Sequence, residues 1–174
     1  MRVLGIDPGT QNTGYGIIDE ESGRLVFQGM GVITTSSRQA LSKKLKTIHD
    51  GLVEIVERFS PDVIVVEDTF LSKNIQIAFK LGQARGVALL VGELYALQVA
   101  EYTPTQIKLA VTGYGVAQKS QVQMMVTHLL KLSTPPESDH AADALAAAIC
   151  HHHSAKMLNR LKVSSPIVEK VERG

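Results

Sequence analysis

The stretch MRVLGIDPGTQNTGYG, residues 1–16, decides the fold of this chain. Its first half is a continuous apolar run that ends at Asp7, and such a run predicts a buried β-strand. Its second half is rich in glycine, which permits a tight turn directly after the acid. Residues 13–35, TGYGIIDEESGRLVFQGMGVITT, then predict two antiparallel strands joined by a turn at ESG.

The rest of the chain alternates between helical and strand patterns. Apolar residues at helical spacing predict a helix over residues 37–59, which Ser60-Pro61 should end. The short apolar run DVIVVED, residues 62–68, predicts a second buried strand. Further patterns predict a helix over residues 73–97 and a strand over residues 97–103. They also predict a helix from Pro104 onward and another over residues 119–132. Three strands, a helix and then alternating strands and helices predict a mixed α/β sheet in one domain.

A last helix is predicted over residues 137–153, ESDHAADALAAAICHHH. Its alanine-rich face suits close packing on a sheet. Its start is indicated by Thr134 as the N-cap, Pro135 in the first turn and Glu137 as the partner of a capping box. The histidines at 151–153 are interpreted as a helix end, where they interact favourably with the helix dipole.

Composition limits the class of protein. A length of 174 residues suits one domain, which we place at residues 1–153, followed by a charged tail over residues 154–174. The net charge of +1 is lower than that of many nucleic-acid binders, so the placement of charge has to support such a function. The single cysteine excludes an intrachain disulfide and a Cys-based zinc cluster. Because no signal peptide or membrane-spanning run is present, we expect a cytoplasmic protein.

Acidic residues stand where the predicted strands end. Asp7 and Glu67 each follow a buried apolar run, and a carboxylate there is costly unless it reaches solvent, a partner or a metal. If the two strands are neighbours, their carboxylates come together and repel each other unless a divalent cation neutralises them. This pattern predicts a site for hard metal ions with oxygen ligands. Asp68 should point to the opposite face of its strand and is interpreted as structural.

The last helix adds two possible partners to this acidic set. His140 and Asp143 are three residues apart, and Asp139 and Asp143 are four apart. Both spacings place a pair on one helix face. Spacing therefore leaves open whether His140 or Asp139 joins Asp143 at the site.

The glycine-rich turn also fits a different class of protein. The D-x-G-T pattern that begins at Asp7 is similar to the phosphate-binding hairpin of actin-like ATPases and sugar kinases. Those proteins need a second such loop and an adenosine site on a second domain. This chain has no second D-x-G-T and is too short for both halves.

Five blocks of the sequence, in order, resemble the RuvC family of Holliday-junction resolvases. They are GIDPGTQNTGYG, VVEDTFLSKN, KLGQARGVALL, QKSQVQMMV and HAADALAAAI. The resemblance extends to about His151. It implies an RNase H-like fold, with a mixed five-stranded sheet and helices on both faces, and a homodimer.

The resemblance also implies catalytic and metal-binding residues. The acids of the family fall on Asp7, Glu67 and Asp143, and the fourth position falls on His140, where many members carry Asp. The implied reaction is two-metal hydrolysis of a phosphodiester, with two Mg²⁺ ions per site, Mn²⁺ as a substitute, and 5′-phosphate products. Because imidazole suits manganese or zinc better than magnesium, His140 either ligates metal or polarises the attacking water.

The implied substrate is four-way junction DNA, cut in cooperation with the RuvA–RuvB branch-migration complex. By resemblance, the DNA contacts are Phe70, Lys80, Arg85, Lys108, Lys119 and Ser120. Lys119 and Ser120 also begin a predicted helix, where phosphate binds readily.

Two other functions are compatible with parts of this pattern. One is the RuvC-like family that trims precursor ribosomal RNA, whose chains are shorter and lack the full QARG and QKSQVQMMV blocks. The other is a non-catalytic DNA-binding or scaffolding module, against which the intact Asp7, Glu67 and Asp143 argue.

Overall fold

The protein is a five-stranded sheet with helices on both faces. The computed structural model describes residues 1–68 and 75–164, with side chains as far as residue 155. Its strands, in chain order, are β1 Arg2–Asp7, β2 Asn12–Glu21, β3 Arg24–Thr34, β4 Val63–Glu67 and β5 Gln98–Tyr102. Its helices are α1 Leu41–Phe59, α2 Ile75–Leu94, α3 Pro104–Thr112, α4 Lys119–Leu129 and α5 Asp139–Ser164. None of the described helices has the length and apolar character needed to cross a membrane.

The strand order is β3-β2-β1-β4-β5, and the sheet is mixed, as predicted. β1 pairs antiparallel with β2 and parallel with β4, and β4 pairs parallel with β5. The predicted hairpin turn between β2 and β3 is confirmed. Ser22 and Gly23 both have positive φ, 50° and 78°, as the tight turn of a two-residue hairpin requires.

Side-chain alternation divides the sheet into two faces. Val3 packs in the core cluster with α3, α4 and α5, whereas Leu4 packs in the cluster with α1 and α2. Because successive side chains point to opposite faces, Asp7 stands on the same face as Val3. Glu67 stands on the same face as Val65, which also packs against α5. Strand geometry therefore sends both carboxylates toward the face that α5 covers.

Glycines let α5 approach the sheet at backbone distance. A Cβ on Gly5 would lie 2.0 Å from the carbonyl oxygen of Ala144, and one on Gly14 would lie 2.0 Å from that of His140. No side chain fits in these spaces, so glycine is required for the close approach and not for its backbone angles. The alanine-rich helix supplies the matching smooth surface, as the sequence predicted.

Helix α1 covers the other face with a stripe that includes Ile48, Leu52 and Ile55. Its predicted end at Ser60-Pro61 is confirmed. Ser60 takes the left-handed conformation at φ 46° and donates its backbone N–H to the carbonyl of Val56. This is the αL type of helix termination, and Pro61 follows it because proline cannot continue a helix.

The predicted start of α5 is wrong. The helix begins at Asp139, with the carbonyl of Ser138 accepting from the N–H of Ala142, and not at Thr134. The physical reason is the second proline: Pro136 disfavours helical geometry at Pro135, so the capping-box pattern cannot form a helix there.

The predicted end of α5 is also wrong. The helix continues through His153 to Ser164, so His151 and His152 are buried mid-helix residues and not a helix end. His151 Nδ1 lies 3.1 Å from the Tyr102 hydroxyl oxygen instead. The proposed boundary between residues 153 and 154 therefore falls inside a helix, and the division into domain and tail stays a prediction.

Replacing Gly5 with alanine should destabilise the protein, because the new methyl group meets the Ala144 backbone, which has no rotamer to change. We expect the free energy of unfolding in urea to fall by about 1–3 kcal/mol. Gly82→Ala is the control, since a Cβ there meets nothing within 4 Å, and it should raise stability by up to about 1 kcal/mol. Equal stability of Gly5→Ala and wild type would contradict the close approach of α5.

Candidate active site

The four predicted catalytic residues meet at one edge of the sheet. β1 and β4 are adjacent and parallel, so Asp7 and Glu67 end neighbouring strands at the same edge. The first turns of α5 cross this edge because Gly14 allows the helix backbone to approach β2. His140 and Asp143, three residues apart, project from those turns toward the two strand ends. The site therefore combines two strand ends with the start of one helix.

His140 is held by a hydrogen bond to Asp7. The two side chains lie 2.6 Å apart between Nδ1 and Oδ2. An ionised carboxylate only accepts, so Nδ1 carries the proton and donates it. This hydrogen bond raises the pKa of His140 above its ordinary value, against the opposing effect of burial. The structure thus brings His140, and not Asp139, to the strand ends.

Asp139 faces helix α4 instead. Its Oδ1 accepts a hydrogen bond from Gln123 Nε2 at 2.6 Å, and its Oδ2 lies 3.3 Å from the Lys119 ammonium. It is more exposed than Asp143, at 59% against 27% of the side chain. These contacts dock the start of α5 onto α4, so the role of Asp139 in this structure is to join two helices.

Lys119 belongs to the acidic cluster itself. Its ammonium lies 3.0 Å from Oδ2 of Asp143, in addition to its contact with Asp139. Burial disfavours this ammonium, but the hydrogen bonds and charges of the two carboxylates outweigh that effect and raise the pKa of Lys119. As predicted, Lys119 is the first residue of α4. Its ion pair with a catalytic acid was not predicted, because the sequence does not show that α4 and α5 meet there.

Glu67 is an acid of the site whose ionised form is disfavoured by its surroundings. Burial, together with the charges of Asp7 and Asp143, raises the pKa of Glu67 to about 8. The charges of Lys119 and Lys108 act in the opposite direction but do not cancel the effect. Burial likewise raises the pKa of Asp143, although Lys119 opposes this change. Without added cations, the site therefore favours a proton on Glu67 near neutral pH.

The chemistry of these donors fits a hard divalent cation. Asp7, Glu67 and Asp143 supply carboxylate oxygens, which magnesium and manganese prefer. Burial, together with the charges of Asp7 and Asp143, disfavours the ionised form of Glu67 and raises its pKa, and a bound cation would favour that ionised form. Among the described residues, no three His, Cys, Asp or Glu side chains already stand in a ligand cluster. Lys119 is the counter-charge of Asp143 in this arrangement.

Three of the predicted DNA contacts lie around this site. Lys108 is half-buried on α3, and its positive charge lowers the pKa of Glu67. Lys80 is exposed on α2 and lines a cavity that His140 also lines. Ser120 is exposed in the first turn of α4, next to Lys119. Their contacts with DNA stay predictions.

The remaining two predicted contacts differ from these. Arg85 is engaged within the protein, with Nη2 2.5 Å from Glu101 Oε1 and Nε 3.5 Å from Asp68 Oδ1. This ion pair gives Asp68 the structural place expected of it, beside α2 and away from the carboxylate cluster. Phe70 lies outside the described residues.

Sequence reasoning missed Lys44, which is 9% exposed and lines the same cavity as His140 and Lys80. A signal for it exists in the sequence. Lys44 precedes Ile48 by one turn and Leu52 by two, so it interrupts the apolar face of α1 with a charge.

Comparison with known proteins places the chain in a family. The family model for crossover junction endodeoxyribonuclease RuvC matches residues 3–151. The protein of that name from Tolumonas auensis is 50% identical over 159 residues, which cover 91% of this chain and 91% of that protein. The one from Geobacter sulfurreducens is 49% identical over 162 residues, with coverages of 93% and 98%.

A solved structure gives the same assignment. Thermus thermophilus RuvC in complex with Holliday junction substrate is 34% identical and superposes with a TM-score of 0.86, covering 90% of this chain and 96% of that one. The likeness covers nine-tenths of this chain, so the predicted RNase H-like fold is confirmed. The chain belongs to the RuvC family of crossover junction endodeoxyribonucleases.

Proposed function

We propose that this protein resolves Holliday junctions by hydrolysing one phosphodiester bond on each of two opposed strands, during recombination and DNA repair. The observation that carries the proposal is the convergence of Asp7, Glu67 and Asp143 with His140 at one sheet edge. Family membership gives the reaction class, and the carboxylates give the chemistry. A scaffolding module has no need of a half-buried Glu67 whose pKa is raised to about 8.

The proposed cofactor is Mg²⁺, with two ions per site and Mn²⁺ as a substitute. Asp7, Glu67 and Asp143 would hold these ions. When bound, they supply activation of water and stabilisation of the leaving 3′ oxygen.

His140 is proposed to act through its second ring nitrogen. Asp7 occupies Nδ1, which fixes the ring orientation and leaves Nε2 to face the reacting groups. A neutral ring in this tautomer accepts a proton at Nε2 from the attacking water. The same atom is also able to ligate a cation. Substitution of His140 by Asp distinguishes a role that a carboxylate also performs from a role that only imidazole performs.

Lys119 and Lys108 are proposed to bring the scissile phosphate to the acids. Both charges act on Glu67, so both lie close enough to compensate the carboxylates. Lys119 is bound to Asp143 in the absence of DNA and occupies the first turn of α4, where backbone N–H groups favour an anion. A phosphate that enters the site thus meets cations that the acids have already oriented.

A twofold homodimer is the proposed working unit. One compact site cannot reach two opposed strands, whereas a twofold dimer presents two copies to a nearly twofold substrate. Helix α2 supports this proposal, because Phe79, Leu90 and Leu94 are 70%, 52% and 63% exposed in the single chain. Apolar residues of that size on one helix are typical of an interface. We also propose a cytoplasmic location and cooperation with the RuvA–RuvB complex.

Stability without metal should depend on pH through Glu67. Between about pH 4.5 and 8 the native state retains a proton on Glu67 that the unfolded chain has released. Stability should therefore fall as pH rises through this window, by up to about 1.4 kcal/mol per pH unit from this group. Urea unfolding of wild type and Glu67→Gln in a chelator measures it. Glu67→Gln should show a flatter pH dependence, whereas Asp68→Asn should keep the wild-type slope, and equal slopes for all three proteins would refute the shift.

His140→Asp should remain active, with its metal preference moved further toward magnesium, because carboxylate is the harder ligand. His140→Ala should cut a synthetic junction roughly 100-fold more slowly, since no group at that position accepts a proton or ligates metal. Asp139→Ala is the matched control on the same helix turn and should retain most activity. If Asp139→Ala were inactive and His140→Ala active, the wrong residue of the pair would have been assigned.

Asp7→Asn should abolish cutting and preserve junction binding. The substitution keeps the shape but removes a charge that a cation needs, while binding depends on basic residues. Gel shifts and cleavage of a four-way junction, carried out on one preparation, measure both. Asp68→Asn is the control, since Asp68 pairs with Arg85 and should leave cutting unchanged.

The same variant tests the paired cuts. A mixed dimer with one Asp7→Asn subunit should bind a plasmid-borne cruciform and mainly nick it, whereas wild type should linearise the plasmid. Near-normal cutting by the all-Asp7→Asn protein would remove the proposed active site. Linear product from the mixed dimer at the wild-type rate would remove the requirement for two sites.

A further inference from the structure

A cavity of about 500 Å³ lies beside the active site and has no role in the chemistry described above. The loop between β1 and β2, the segment before α1, the first turn of α1, and α2 form its walls. We call it the α1 groove, and the residues that matter here are Asn12, Gln39, Leu41, Lys44, Lys80 and His140. Because His140 lines it, the groove adjoins the active site.

Lys44 is the unusual residue of the groove. It is 91% buried on the face of α1 that also carries Ile48 and Leu52. Among the described residues, its side chain has no hydrogen bond or ion pair, and its ammonium is not among the fully enclosed polar atoms. The stem of Lys44 is therefore buried, while its ammonium keeps some exposure at the groove that the residue lines. An accessible ammonium without a partner is able to bind an anion that enters the groove.

The position of Lys44 in its helix is unfavourable for a cation. The first turn of α1 is the positive end of the helix dipole, where anions are favoured and cations are not. No acidic side chain stands in that turn, and Ala40 provides no side-chain cap. The unpaired lysine and the uncapped helix start both favour the arrival of an anion.

The lining of the groove selects the kind of anion. Among its described lining residues none is Asp or Glu, whereas Lys44 and Lys80 are cationic and Asn12 and Gln39 are hydrogen-bonding amides. A cavity of this size accommodates a phosphate group with its sugar. Since His140 belongs to the active site and also lines the groove, the groove is near the phosphates that flank one lying in the site.

We propose that the α1 groove is a phosphate-binding subsite for the cleaved DNA strand, in which Lys44 and the start of α1 bind a backbone phosphate next to the scissile one. The proposal rests on the proposed junction-cutting function and adds to it a phosphate-binding site that fixes the position of the cleaved strand. Lys44 contacts no reacting atom. It is a binding residue, and the phosphate supplies the missing counter-charge.

The test compares wild type, Lys44→Met and Lys44→Arg for binding of a synthetic four-way junction without divalent cations. Lys44→Met keeps the length of the side chain and removes its charge. It should weaken binding roughly tenfold at moderate salt and reduce the log–log salt slope by about 1 for each bound subunit. Lys44→Arg should keep the wild-type slope. The control is Lys43→Met, which removes an exposed charge one residue away and should change the slope clearly less.

A second measurement identifies the phosphate. A series of junctions each carries one neutral methylphosphonate, at a different position near the cut. At one position the methylphosphonate should lower the affinity of wild type but leave the affinity of Lys44→Met unchanged from its value for the unmodified junction. Equal loss from Lys43→Met and Lys44→Met, or a methylphosphonate penalty unchanged in Lys44→Met at every position, would overturn the subsite. So would a large drop in melting temperature of Lys44→Met, because it would show that the ammonium stabilises the fold.

The two proposals fail in different ways. If wild type neither binds nor cuts the junction, the proposed function fails, and the subsite fails with it. If wild type cuts the junction and Asp7→Asn does not, while Lys44→Met keeps the wild-type affinity and slope, only the subsite is refuted.

Discussion

The whole site depends on the contact between the backbone of α5 and the glycines of β1 and β2. Gly5 and Gly14 each leave a space that a carbonyl oxygen of α5 fills, 2.0 Å from where a Cβ would stand. Any larger residue would push the helix off the sheet. The same contact sets the height of His140 and Asp143 above the ends of β1 and β4. Packing and catalysis are thus one constraint, because the residues that let the helix dock also position the helix's functional side chains.

That docking concentrates negative charge, and the surrounding helices compensate it. Asp7 is paired with His140, and Asp143 with Lys119, so two of the three acids have a cationic or proton-donating partner. Glu67 has no such partner among the described side chains, and burial and its neighbours raise its pKa to about 8. Such a site is less favourable for the fold than an apolar edge would be. This cost is expected where catalytic groups need charge in one place.

The placement of lysines around the active site explains how a chain of net charge +1 is suited to nucleic acid. Lys119 and Lys108 compensate the acids from α4 and α3, and Lys80 and Lys44 line the groove on the other side of His140. Other charged residues form ion pairs within the protein, as Arg85 does with Glu101 and Asp68. The local potential around the site therefore differs from the nearly neutral average, and the average carries little information about the ligand.

The sequence by itself determined the strands, the order of most helices, and the acids Asp7 and Glu67, because apolar periodicity and strand ends are local patterns. Local reasoning was wrong at the start of α5, where a capping pattern competed with two consecutive prolines. Spacing left open whether His140 or Asp139 joins the site, the family resemblance indicated His140, and the tertiary structure places His140 against Asp7. Only the tertiary structure decided that Lys119 pairs with Asp143 and that Lys44 is buried beside the site. Each of these outcomes depends on the angle and distance at which one element meets another that is distant in the chain. Residue spacing within a single helix does not determine these contacts, because either face of a helix turn can point toward the site until the helix packs on the sheet.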